Sequence, residues 1–122
     1  MKSPYKGIKR ILFAGKNSLN GLVSTYREEE AFRQEVWLFV ALTPVAFWLG
    51  KTAWDIAILL GVLVFVMLVE LLNSALETAV DRIGEEYNEL SGRAKDQASA
   101  AVLLSFVIAI GVWGGFLLER FL

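Results

Sequence analysis

The chain has 122 residues, a net charge of −1 and neither cysteine nor histidine, which excludes disulfides, thiol chemistry and the usual acid–base side chain of neutral pH. Its hydrophobic content of 56% and mean hydropathy of +0.52 exceed those of ordinary soluble domains, and its length leaves room for one domain. The apolar residues are blocked, with charge-free runs of 15, 14 and 22 residues at 36–50, 56–69 and 97–118. A bilayer span needs about 20 largely apolar residues, so the third run suffices alone and the first two must borrow polar flanks.

In chain order, residues 6–27 come first. Ile8, Ile11, Leu12, Gly15, Leu19, Leu22, Val23 and Tyr26 recur at helical spacing, with Lys6, Lys9, Arg10 and Lys16 mostly on other faces. That pattern suits a helix lying in the membrane surface; a soluble amphipathic helix packed on a partner is the alternative. Asn20-Gly21 favours a turn within it. A first span is expected at about 31–50, with Pro44 inside it. The turn at 50–52 is flanked by Trp48 and Trp54, side chains that anchor at interfaces. A second helix follows at about 55–83, with Gly84 as its C-terminal cap. The third span covers about 95–119, its helix beginning near Ser91 or Lys95. Small residues at 98–101 and Gly111-x-x-x-Gly115 suit close helix packing there. The result is an all-α membrane protein, one domain with an N-terminal surface helix and three transmembrane helices.

Lys and Arg set the orientation. Seven of the twelve lie before residue 36, three lie at 82–95, and only Lys51 and Arg120 lie on the other side. The positive-inside rule then puts the N-terminus and the 75–96 segment in the cytoplasm, and the C-terminus outside. No apolar segment with a small-residue cleavage site follows the basic N-terminus, so no removable signal is expected.

Residues 70–96 carry the chemistry. Glu70, Asn73, Glu77 and Asp81 fall within roughly an 80° arc of one helix face, on an otherwise apolar helix. Glu70 lies about 22 Å along the helix from Asp55, in the inner half of a hydrocarbon core of about 30 Å, and Glu77 about 10 Å further at headgroup level. A polar stripe running from acyl chains to water can meet a lipid hydroxyl at one end and a soluble anion with its metal at the other. A partly desolvated acid suits proton removal, and an acid nearer water suits Mg²⁺. Glu29, Lys95 and Arg10 add an acid and two cations on the same side, the set that phosphoryl transfer uses. The plainer alternative makes Glu70 and Asn73 interhelical hydrogen-bond glue. Walker-type and dinucleotide-binding glycine motifs are absent, so pattern alone does not name the ligand.

Three segments together resemble the bacterial integral-membrane diacylglycerol kinases, the small family that also includes undecaprenol kinases. They are Glu-Ala-Phe-Arg-Gln-Glu (30–35), Glu-x-x-Asn-Ser-Ala-x-Glu-x-x-Val-Asp-Arg (70–82) and Glu-Leu-Ser-Gly-Arg-Ala-Lys-Asp (89–96), and the likeness covers nearly the whole chain. The resemblance implies a domain-swapped homotrimer with shared active sites, and Mg-dependent transfer of the ATP γ-phosphate to 1,2-diacylglycerol in a bacterial inner membrane. It implies Glu70 as general base supported by Asn73, with Glu29 and Glu77 on the metal. Lys95 and Asp96, with Glu86, Tyr87 and Asn88, form the implied nucleotide cradle. Arg10 would serve phosphates or lipid, and Ala31, Phe32, Arg33, Gln34, Glu35, Trp48, Ile56 and Ser99 would line the lipid route. Asn17 falls at an implied nucleotide contact; some relatives carry an aromatic residue there, and a histidine where this chain has Asn88. Undecaprenol is the alternative substrate. A nonenzymatic proton or cation pathway is a third reading, although residues 56–69 offer it no polar continuation. No nucleic-acid partner is implied.

Overall fold

A computed structural model describes residues 4–122, which form four helices: α1 (Ile8–Glu28), α2 (Glu30–Leu49), α3 (Ala53–Ile83) and α4 (Glu89–Phe121). Gly7 starts α1 with φ 67°, a left-handed backbone that glycine adopts without a Cβ clash, so the helix begins at Ile8, two residues later than the expected start at 6. It runs unbroken through Asn20-Gly21, contrary to the turn expected there. The Ser24 and Thr25 hydroxyls donate to the Gly21 carbonyl at 3.2 and 2.8 Å, bonding back to the helix instead of ending it. No residue of α1 is buried, and Ile8, Ile11, Leu12 and Leu19 leave an apolar stripe exposed.

Glu29 alone, in extended conformation, separates α1 from α2. The corner is held by Arg33, whose Nη1 donates to the Tyr26 and Arg27 carbonyls at 3.0 and 2.8 Å. These are orphan acceptors at the end of α1, where a cation also meets the negative end of the helix dipole. Trp37 adds an indole N–H bond to the Tyr26 hydroxyl at 2.9 Å.

At the other end of α2, Thr52 and Asp55 form a reciprocal cap that starts α3. Thr52 Oγ1 accepts from the Asp55 N–H at 3.1 Å, and the Asp55 carboxylate accepts from Lys51 and Thr52 N–H at 3.0 and 3.3 Å. The helix therefore starts two residues before the expected Asp55. At 31 residues α3 is about 46 Å long, more than a hydrocarbon core of about 30 Å needs. Gly84 ends it as expected, though in extended rather than left-handed conformation, with φ 177°. Asn88 then caps α4, its Oδ1 accepting from Leu90 and Ser91 N–H at 2.9 and 3.2 Å. That cap moves the start of α4 to Glu89, earlier than expected.

Packing is concentrated away from the polar stripe. Ala46, Leu49, Leu59 and Trp113 form the buried core where α2 ends and α3 begins, with Leu42, Val45, Leu63 and Phe116 around them. Trp113 Nε1 donates to the Leu59 carbonyl at 3.0 Å, joining α4 to α3. Gly111 and Gly115 face open space, so the close packing expected at that motif is not made within this chain. Among the described residues α3 and α4 are long and apolar enough to cross a membrane, and only 11% of the most apolar stretch of each is buried. Core helices of soluble proteins are mostly buried, which these two are not within one chain.

Candidate functional site

The site begins on α3, below the packed core. Asn73 Nδ2 donates to Glu77 Oε1 at 3.0 Å, one helical turn along the stripe. The Asn73 amide oxygen is buried and without a donor, as is Glu35 Oε1. Buried acceptors are normally paired, so these two point to a guest that can supply a proton or a cation. Glu35, from α2, lies beside Glu70 on α3, near enough for the two carboxyl groups to interact. Sequence reasoning placed Glu35 along a lipid route and did not foresee this contact, because nothing local in the chain links α2 to that turn of α3.

One turn beyond Glu77, Lys95 Nζ meets Asp81 Oδ1 at 2.8 Å, with both side chains about half exposed. Lys95 lies ahead of the charge-free run 97–118. Its ammonium is held above the usual lysine range by the Asp81 hydrogen bond first, then by the Asp81 charge, with a smaller pull from Glu77. One face thus carries, in order along α3, Glu70 with Glu35 beside it, Asn73, Glu77 and an Asp81-anchored cation.

Other expected residues are not brought to this face. Glu29 lines a groove with Ser24, Thr25, Ala75, Thr78 and Arg82. The α3 residues of that groove centre roughly 140° round the helix from the Glu70–Asp81 stripe. Among the described residues no three acidic side chains come together to hold a metal ion. Arg10 and Asn17 are exposed in the first half of α1, away from the end of that helix that meets α3. Glu86, Tyr87 and Asp96 are exposed, and Asn88 is engaged as the cap of α4. Among the lipid-route residues, Arg33 is engaged in the α1–α2 corner and Phe32 is buried. Ala31, Gln34 and Ser99 are exposed. Trp48 and Ile56 lie near the opposite end of the bundle, and Trp48 carries the Arg120 guanidinium 4.5 Å above its ring.

Comparison with known proteins agrees with this chemistry. The sequence profile of the prokaryotic diacylglycerol kinase family matches residues 16–117. The chain is 49% identical over 111 residues to a diacylglycerol kinase of Haemophilus influenzae, covering 91% of this chain and 94% of the relative. It is 46% identical over 107 residues to that of Escherichia coli K12, covering 88% of each. A third relative, the diacylglycerol kinase of Pseudomonas aeruginosa, is 44% identical over 119 residues, or 95% and 97% of the two chains.

Proposed function

The chain belongs to the prokaryotic diacylglycerol kinase family, and from that premise we propose that it transfers the γ-phosphate of ATP to the free hydroxyl of 1,2-diacylglycerol, giving phosphatidic acid. It is a membrane protein and a lipid kinase with ATP as co-substrate. The observation that carries the reading is the single face on which an acid pair, an amide, a second acid and an anchored cation follow one another from bilayer to water.

In this reading Glu70 takes the proton from the diacylglycerol hydroxyl as its oxygen attacks the γ-phosphorus. The bond from that phosphorus to the β–γ bridging oxygen breaks and ADP leaves. Glu35 keeps Glu70 in place from α2. Asn73 holds Glu77 by its amide and presents a buried oxygen. Carboxylate and amide oxygens are the hard donors that Mg²⁺ prefers, and Mg²⁺ keeps waters and substrate phosphates among its ligands, so the donor set fits that ion. Glu77 and Glu29 would hold it, and it would neutralise phosphate charge. Lys95 and Asp96 would receive the phosphates, with Glu86 and Tyr87 nearby in the turn.

Glu29 supports a shared site. Since it borders another face of α3, a metal held by both Glu29 and Glu77 draws them from two copies of the chain, as in a domain-swapped homotrimer. α2 would then be a third span of about 30 Å, its Arg33 and Glu35 near the inner headgroups, in a bacterial inner membrane with the N-terminus cytoplasmic.

The test is Mg·ATP consumption by purified protein in mixed micelles with diacylglycerol, undecaprenol or no added lipid. Phosphatidic acid formed with diacylglycerol is the expected result. Turnover with undecaprenol alone would keep the mechanism and change the substrate, and none with either lipid would refute the reading.

A further inference from the structure

We propose that Asp81 is a positioning residue for phosphoryl transfer, its carboxylate fixing the Lys95 ammonium at the foot of the Glu70–Asn73–Glu77 face so that this ammonium meets the phosphates of ATP. The inference rests on the kinase reading above and adds a residue to it.

Asp81 lies on the same arc of α3 as Glu70, Asn73 and Glu77, one turn beyond Glu77. Lys95 comes from the second turn of α4, fourteen residues on, and the 2.8 Å contact closes the turn between the two helices. As a source of stability such a pair is weak, since half-exposed ion pairs are screened by water. Its effect is on geometry. Free lysine has a long, flexible stem, and ordering it on a ligand costs rotamer entropy. Here that cost is already met before nucleotide arrives. An ammonium has three N–H donors, so one bond to Asp81 leaves two for phosphate oxygens. The attraction of Glu77 for Lys95 shows that the ammonium lies within electrostatic reach of the acid expected to share the nucleotide's metal. Asp81 makes no other described ion pair, which frees its carboxylate for this role.

The experiment compares wild type, Asp81→Asn and Asp81→Glu in mixed micelles. The wild type must turn over; if it does not, the kinase reading fails first and separately. With active wild type, Asp81→Asn should raise the KM for Mg·ATP on the order of tenfold and change that for diacylglycerol less than about twofold. Asp81→Glu should recover most of the loss. Lys95 itself supplies a readout independent of turnover. Freed from its carboxylate it loses its proton more readily, so an amine-acylating reagent, followed by mass spectrometry of the Lys95 peptide, should label it several-fold faster in Asp81→Asn. Equal rises in both KM values with unchanged Lys95 labelling would reduce Asp81 to a structural residue and overturn the proposal. So would an Asp81→Asn enzyme indistinguishable from wild type.

Discussion

A Cβ added to Gly50 would lie 2.9 Å from Ile56 Cγ1, 3.1 Å from the Ala46 carbonyl oxygen and 3.1 Å from Asp55 Cβ. The Ile56 side chain can move, but the backbone oxygen and the cap at Asp55 cannot without opening the turn between α2 and α3. Gly50→Ala should therefore destabilise the protein by about 1–3 kcal/mol, read as a lower thermal midpoint in detergent. Activity at low temperature should be spared, because Glu70 sits about 20 Å along α3 from Ile56. Glu70→Gln has the opposite signature. The amide keeps the volume, but it cannot take a proton. Turnover should fall by about 10²-fold or more while nucleotide binding, measured by equilibrium dialysis, stays near wild type. Equal loss of both would remove Glu70 from the base role.

Among the elements, the α1–α2 corner is the most exposed to a single change. Two charge-assisted bonds from Arg33 to the last carbonyls of α1 contribute about 1.5–3 kcal/mol to the corner. Arg33→Gln should loosen α1 from α2 and speed proteolysis near Glu29 several-fold, whereas a side chain that only contacted lipid would leave cleavage unchanged. The elements themselves were legible from periodicity and caps. Thr52-x-x-Asp55 is a reciprocal cap, and it starts α3 two residues earlier than the expected Asp55. The stripe of Glu70, Asn73, Glu77 and Asp81 is equally local, being fixed by helical spacing alone. Partners from other helices carry no such signal. Glu35 on Glu70 and Lys95 on Asp81 depend on how α2 and α4 dock. Asn88, expected in the nucleotide cradle, also caps α4 through its side chain, a local role that the sequence reading did not assign to it.

At the scale of the whole molecule, the separation of Glu29 from the Glu77 face makes a quantitative demand on assembly. If one metal site takes Glu77 from one protomer and Glu29 from the next, Glu29→Gln and Glu77→Gln should each be inactive alone. They should complement one another when mixed. In equal, random mixtures a given site receives an intact Glu77 half the time and an intact Glu29 half the time, so about one quarter of sites are complete. Unfolding the two variants together, reconstituting them and assaying phosphatidic acid should recover about a quarter of wild-type activity, while each variant reconstituted alone stays dark. Sites built within one chain can never regain both acids by mixing, because every chain lacks one of them. Activity no greater than that of the separate variants, from assemblies shown by cross-linking to be mixed, would place Glu29 and Glu77 in the same protomer and remove the reason for a shared site.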